Sequence, residues 1–460
     1  MYQLRRNKNL LAASFVLIVT VLGGNAYADK KQFPKIHLTP FTNVATINAV
    51  TGPGGINHED SDALAKEVAI AIATYVATND DIDLGFDTDW VLGGLEGLAT
   101  EDAIKEAILH VPTPFAIDPD EPVDSNNRKK VHLIEMCNPT FAKKAMGILP
   151  VIDDDDPTND DASKIVNGRI HAPALPCETA VYFDGTKIQI DMLNPVAIFT
   201  LFFTDVLFGE QMQDPAFAEA IQVLPVQVNE EIVTIIYAAL EGAEYTFTEK
   251  HKALGPKYQW LDEVVEEVAN TRYLSPFVHF TYLFTPSYPG ETLDVKAIAE
   301  SIIVAASTTG DHAPELDAQL NEDDWRSARP GPLPIPGNQV IEMCSPTNAI
   351  KAMSTGLHHA TALPCEVALT AIEDKDEDVT KLLVSYLNPH FMFNALFKDA
   401  FNQMSDEELE EFAALPPLVL KDLQAIVAWG LQNHTELGAP EQVCYGMLPS
   451  GYPEDCTTLP

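Results

Sequence analysis

The residues with the most chemical potential in this chain are its six cysteines, four of which fall into matching places. Ile-Glu-Met-Cys-Asn-Pro-Thr at Ile134–Thr140 returns as Ile-Glu-Met-Cys-Ser-Pro-Thr at Ile341–Thr347. A second block, His-Ala-Pro-Ala-Leu-Pro-Cys at His171–Cys177, returns as His-Ala-Thr-Ala-Leu-Pro-Cys at His359–Cys365, and Leu-Asn-Pro closes each set at Leu193–Pro195 and Leu387–Pro389. The thiols therefore divide into Cys137 with Cys177, Cys344 with Cys365, and Cys444 with Cys456. Two kinds of chemistry compete for them. An even count in an oxidising compartment favours structural disulfides, each within its own repeat. Cys137 and Cys344 also immediately precede helix starts, where the dipole favours thiolate, so a redox pair is the second reading. In a third, Met136, His171 and Cys177, like Met343, His359 and Cys365, form a soft-ligand neighbourhood for copper or zinc. Against it, each Met precedes its cysteine by one residue in a strand and should point to the opposite face. The disulfide reading carries a geometric condition. The two cysteines must meet at one edge of antiparallel strands, since a bond needs Cα atoms within about 7 Å.

Residues 1–28 read as a secretory signal peptide, with Arg5, Arg6 and Lys8, the apolar run Leu10–Leu22 and the small-x-small site Ala26-Tyr27-Ala28. A periplasmic or secreted chain beginning near Asp29 is expected, with no later stretch long and apolar enough to span a membrane. A formal net charge of −40 disfavours nucleic acid and anionic lipid as partners. It suits either salt-rich surroundings or an acidic exported protein. With 46% hydrophobic residues there is ample material for a core.

The elements that must position the cysteines follow from local patterns. Strand-like stretches at Phe41–Asn48 and Phe277–Phe284 are each followed by an amphipathic helix, Asp62–Thr78 and Asp294–Ser307. A short apolar strand, Val131–Met136, leads to Cys137. Asn138 and Pro139 then stand at the N-cap and first position of a helix, as do Ser345 and Pro346. Asp184-Gly185 marks a hairpin between Thr179–Phe183 and Lys187–Met192. The second copy has strands at Glu366–Ile372 and Lys381–Leu387 around an acidic loop. Asn194-Pro195 and Asn388-Pro389 open aromatic helices, and further helices near Val228–Leu240 and Leu418–Leu431 close each repeat. The fold class predicted is α+β: two tandem two-layer domains, each a small, mostly antiparallel sheet covered by helices. The divisions are residues 29–245, a helical linker 246–272 with a helix at Tyr258–Val268, residues 273–432, and a tail 433–460 without long periodic structure. Loops are expected at Asp118–Lys130 and at Ala328–Asn338 with its prolines.

The Cys-Asn-Pro block, the Leu-Pro-Cys strand entry and the closing Asn-Pro helix start resemble the family called domain of unknown function 302, over Phe41–Gly242 and Phe277–Leu431. The resemblance implies a compact two-layer α+β domain and no activity. The acidic insert Ile152–Asp161, Ser345 in place of Asn, and the cysteine-bearing tail depart from the pattern.

No catalytic residue, cofactor or definite metal ligand emerges. There is no Gly-x-Ser-x-Gly elbow, zinc-protease signature or dinucleotide fingerprint. The acidic runs Asp153–Asp156 and Asp81–Asp89 lack the pattern of a calcium loop. Gly52–Gly55 lacks the lysine of a phosphate loop, and His358-His359 reads as a helix-end pair. The aromatic helices after Asn194 and Asn388 read first as core and second as the lining of a groove between repeats. The functional expectation is an exported, non-catalytic module that binds a small ligand or a protein partner. The alternative is a periplasmic thiol–disulfide or soft-metal handling protein. The sequence does not indicate an oligomeric state.

Overall fold

The computed structural model describes residues 39–48, 60–78, 89–95, 98–117, 127–146, 171–203, 215–256, 276–285, 291–310, 314–325, 327–331, 338–363, 365–374, 379–401, 404–437, 442–445 and 455–458, with a few single positions besides. The expected leader 1–28, the acidic insert 152–161, most of the Asp81–Asp89 run and the linker helix expected at Tyr258–Val268 lie outside these residues.

The architecture is α+β, as the alternating patterns predicted, with two seven-stranded sheets built on one plan. The first uses β1 (Phe41–Asn48), β2 (Val91–Leu92), β3 (Leu109–Ala116), β4 (Arg128–Cys137), β5 (Glu178–Phe183), β6 (Lys187–Leu193) and β7 (Phe247–Leu254). Its hydrogen-bonded order is β2-β4-β5-β6-β1-β7, with β3 also on β4. The second uses β8 (Phe277–Phe284), β9 (Ser327–Pro330), β10 (Asn338–Cys344), β11 (Glu366–Asp374), β12 (Val379–Leu387), β13 (Gln442–Tyr445) and β14 (Asp455–Thr458), in the order β14-β13-β8-β12-β11-β10-β9. All pairings are antiparallel.

The helices are α1 (Ser61–Thr78), α2 (Glu101–Ala107), α3 (Pro139–Ala145), α4 (Pro195–Phe202), α5 (Pro215–Gly242), α6 (Val295–Ser307), α7 (Pro346–Ala352), α8 (Pro389–Leu396) and α9 (Asp406–Leu431). Their starts obey the expected capping chemistry. Asn138 accepts from the backbone N–H groups of Thr140 and Phe141, and Asn194 and Asn388 cap α4 and α8. Ser345 reaches only Asn348, and Asp324 takes the Thr347 N–H at 2.9 Å, so a serine and an aspartate share the work of one asparagine. The Asp184-Gly185 turn forms as expected. Gly185 has φ +97°, and Asp184 Oδ1 accepts from the N–H groups of Thr186 and Lys187.

Several elements differ from the sequence expectation. Phe247–Leu254, assigned to a linker, is a strand pairing with β1. The tail likewise adds β13 beside β8, so each sheet ends in a strand that follows its last helix. The proline-rich stretch from Ala328 contains part of β9, because Pro330 sits at the end of an edge strand where no N–H is required. Helices α5 and α9 begin well before Val228 and Leu418, running through Pro225 and through Pro416-Pro417. A capping box of Ser405 and Glu408 starts α9 on the far side of those prolines. Val223–Gly242 and α9 are also long and apolar enough to meet the length and hydropathy of a membrane span, contrary to expectation. About half of each is buried within the protein.

The two halves share one continuous core. Phe202 of α4 meets Phe391 of α8 at 5.2 Å and Phe277 of β8 at 6.1 Å, so the aromatic helix faces are buried rather than lining a groove. The exchange is reciprocal. The turn Ala172–Ala174 packs on β11 and β12, and the turn Leu357–Ala362 packs on β4, β5 and β6. Val111, Val131, Leu133, Ala180 and Tyr182 of the first sheet bury against Ala349, Met353, Leu357 and Ala360 of the second half. Strands β4 and β5 are thus covered on both faces, by helices on one side and by the other half on the second.

Helices α6 and α9 touch closely at Gly430. A Cβ there would lie 2.7 Å from Ile302 Cα, a backbone atom that cannot swing away. Gly430→Ala should therefore lower stability by about 1–3 kcal/mol through overpacking. Helix propensity alone would favour the same change by about 1 kcal/mol, so urea denaturation giving a net gain would refute the close crossing.

Candidate functional site

The cysteines meet as the antiparallel condition requires. Cys137 ends β4 and Cys177 precedes β5, with Cα atoms 5.1 Å apart, and the two are bonded. Cys344 and Cys365 are bonded with Cα atoms 5.0 Å apart. Cys444 stands opposite Cys456 in the β13–β14 register. The methionines and histidines once grouped with them are employed elsewhere. Met136 and Met343 point into the helix-covered core. His171 stacks on Phe203 at 4.6 Å and meets Phe277 edge-on. His359 stacks on Phe397 at 4.4 Å and lies 5.6 Å from Phe41, the same arrangement in the other half. Its Nε2 is 3.3 Å from Asp399 Oδ1, and His358 reaches Oδ2 of the same carboxylate at 3.6 Å. Burial holds the His359 imidazole down to about pKa 4, and the two imidazoles hold Asp399 below the usual carboxylate range despite burial. This pair sits within the short 3-10 helix Leu357–Ala362.

The chemically unusual site was not singled out in the sequence. Strand pleat puts the residue two before each first cysteine, and the residue just after each second one, on the face where the halves meet. These are Glu135 and Glu178 in one half and Glu342 and Glu366 in the other, and each pair is in direct register across its strands. Glu135, Glu342 and Glu366 are 3%, 5% and 6% exposed. One oxygen from each lies within 4.8 Å of the others. With Arg329, Leu109, Leu133 and Thr361 they line a cavity of about 30 Å³. Glu135 Oε2, Glu178 Oε2 and Glu366 Oε2 are buried without a hydrogen-bond partner.

Among the described residues, one cation enters this cluster. Arg329 on β9 donates through Nε to Glu342 Oε2 and through Nη1 to the carbonyl of Ala107 in the other half. Its Nη2 lies 3.6 Å from Glu135 Oε2, an ion pair without a hydrogen bond. The corresponding position on β2 is empty of side chain. Arg329 stands opposite Glu342, and Gly93, whose N–H bonds to the Glu135 carbonyl, stands opposite Glu135. A Cβ on Gly93 would fall 2.2 Å from Glu135 Oε2, and one on Gly94, at φ +70°, would fall 2.4 Å from Arg329 Nη1. The glycine pair is what lets both side chains occupy the seam.

Burying like charges together raises their proton affinity. Burial, then the Glu342 charge, pushes Glu135 well above the carboxylate range, and burial, then Glu178, does the same to Glu366. Glu178 is pushed up to about 7, mainly by burial. Burial pulls the guanidinium of Arg329 the other way, but Glu342 and Glu135 hold it protonated. Repeated Glu in an identical block was visible in the sequence. Alternation along a strand made it look like an ordinary solvent-facing residue.

Residues 311–415 match the model of the family described as Domain of unknown function DUF302, which covers the second half's α7, β10, β11, β12 and α8 together with Glu342, Glu366 and Arg329. No curated protein and no solved structure matches the chain significantly.

Beside the seam, His110 and His132 face each other with Nδ1 atoms 2.8 Å apart. Burial first, then Lys66 and Lys130, lowers His110 to about 4. Burial, His110, Lys66 and Lys130 lower His132 to about 3. These imidazoles are neutral in the folded protein and charge near 6.5 when unfolded, so they stabilise the fold above 6.5 and that stability is lost as pH falls towards 3. Asp62 on α1, raised by burial and Asp60 to about 6, opposes them between about pH 6 and 3.8, with a shift similar in size to that of His110. Replacing both histidines by Gln should flatten the fall in urea midpoint between about pH 6.5 and 4. An unchanged slope would show that the pair is not what titrates.

Proposed function

We propose that the chain is an exported, non-catalytic binding protein made of two copies of one domain, and that it captures a small positively charged ligand at the seam between them. The observation that carries this reading is the convergence of Glu135, Glu178, Glu342 and Glu366 on one cavity with a single guanidinium for company. Carboxylates collected in a dry place cost free energy unless protons or cations compensate them. A protein that keeps such a cluster on two matching sequence blocks has arranged it rather than tolerated it. The matching blocks, the equivalent sheets and the reciprocal turns support a doubled domain, and the leader-like residues 1–28 support export.

Catalysis is not part of the reading: among the described residues no histidine or free thiol lines the cavity, and the carboxyls of raised proton affinity are read as ligands rather than as acid–base catalysts. Thiol chemistry is the reading it displaces, since both described disulfides are closed and Cys137 and Cys177 are 1% and 7% exposed.

The test is thermal melting of the mature chain with small inorganic and organic cations, beside a Glu135→Gln/Glu366→Gln variant. A cation-dependent rise in Tm in the parent, absent in the variant, is the expected result. No cation raising Tm would end the proposal. Cys137→Ser/Cys177→Ser should lose about 4 kcal/mol of stability for its 40-residue loop, yet keep the cation response in the folded fraction. If the response instead tracks thiol redox state, the disulfide-exchange reading replaces this one. Mass determination of the protein recovered outside the cytoplasm should place its first residue near Asp29.

A further inference from the structure

We propose that the seam is a single-ion site for an oxygen-preferring divalent cation, with Glu135, Glu342 and Glu366 as carboxylate ligands and Glu178 beside them. The inference rests on the cationic-ligand reading above and names the ligand's class. Size is the first argument. A cavity of about 30 Å³ has room for an occupant of water or ion size, which needs about 10–15 Å³, whereas organic ligands occupy pockets of roughly 300–1,000 Å³. Geometry is the second. Carboxylate oxygens within 4.8 Å of one another can be bridged by two metal–oxygen bonds of about 2.1–2.4 Å each.

Donor chemistry is the third argument. Cys344 and Cys365 line the cavity, but their sulfurs are tied in a disulfide, and no histidine is among the lining residues. An all-oxygen set selects Ca²⁺, Mg²⁺ or Mn²⁺ rather than a soft ion. The fourth argument is the unmet demand at the site. Glu135 and Glu366 are more than nine-tenths buried, and each directs an oxygen without a hydrogen-bond partner at the cluster. Arg329 supplies one positive charge on one side only, because Gly93 occupies the matching position. Glu135 comes from one half and Glu342 and Glu366 from the other, so two copies of the domain make one site, not two.

The experiment titrates the mature chain with Mn²⁺, read by electron paramagnetic resonance of the free ion, and with Ca²⁺ by calorimetry. Salt at about 0.15 M screens the acidic surface. The expected result is one saturable ion per chain, weakened roughly tenfold or more by Glu135→Gln/Glu366→Gln. Arg329→Gln should melt lower than the parent without a cation and regain that loss when Mn²⁺ or Ca²⁺ is added. A parent with no saturable site, or with several weak equal sites untouched by the Gln changes, overturns the proposal. The parent stoichiometry decides the matter even if the double variant fails to fold, and Glu366→Gln alone gives a second reading. A parallel titration with 1,3-diaminopropane separates the two levels. Seam-dependent diamine binding without metal binding sinks the metal inference and leaves the cationic-ligand reading. Binding of neither sinks both.

Discussion

Carboxylates held close together where water cannot screen them are the constraint around which this protein is organised. At 4.8 Å two full charges would repel by about 3.5 kcal/mol at an effective dielectric of 20, and burial together with this repulsion pushes Glu135 and Glu366 well above the carboxylate range. The two strand pairs that carry Glu135 with Glu178 and Glu342 with Glu366 are the ones closed by disulfides, one or two residues from the acids. Loops of 40 and 21 residues imply about 4 and 3 kcal/mol of stabilisation on the chain-entropy estimate. Each bond holds together the strand pair that carries its own half's acids.

The matching sequence blocks bring the acids in matched pairs, and a mismatch between the halves leaves one arginine among them in the described residues. Were both halves identical, either two guanidinium groups would crowd the seam or none would enter. Gly93 opposite Glu135 and Arg329 opposite Glu342 resolve this in favour of one, which crosses to the other half and binds the Ala107 carbonyl. Three further buried carboxylates among the described residues are settled differently: Asp191 on β6 accepts from the Asn43 amide and the Tyr182 hydroxyl. Glu231 on α5 accepts from the Trp90 indole at 2.9 Å, and Asp422 on α9 accepts from Trp325 at 3.2 Å. Each has a neutral donor of its own, so none needs a cation. The seam acids differ in lacking such donors, and that separates a structural carboxylate from a candidate ligand.

Much of the frame was legible because local chemistry dictates it. Asn138, Asn194 and Asn388 followed by proline announce helix starts, Asp184-Gly185 announces a hairpin, and the period of Phe277–Phe284 announces a strand. What escaped was decided by distant partners. Phe247–Leu254 has an exposed, charged pattern and becomes a strand only because β1 offers an edge. The prolines at 225, 416 and 417 looked like helix boundaries, yet packing carries α5 and α9 through them. The site escaped for a related reason. Val131, Leu133 and Glu135 share one face of β4, and a glutamate on an alternating strand is ordinarily the solvent side. Nothing local reveals that the other half will cover it. The identical Ile-Glu-Met-Cys blocks held the clue, but cysteine drew the chemical reading to itself.

The histidine turns show why the halves meet in only one way. His171 and His359 each lie between an aromatic of their own half, Phe203 or Phe397, and the first residue of the other half's leading strand, Phe277 or Phe41. These turns run directly into the second cysteine of each disulfide, so the aromatic clasp, the covalent bond and Glu178 or Glu366 follow one another along a few residues of chain. A displacement of the clasp would move the acids with it. Register between the halves and geometry of the acid cluster are therefore one variable rather than two. Occupancy of the seam by any positive charge must consequently be felt as cohesion between the halves.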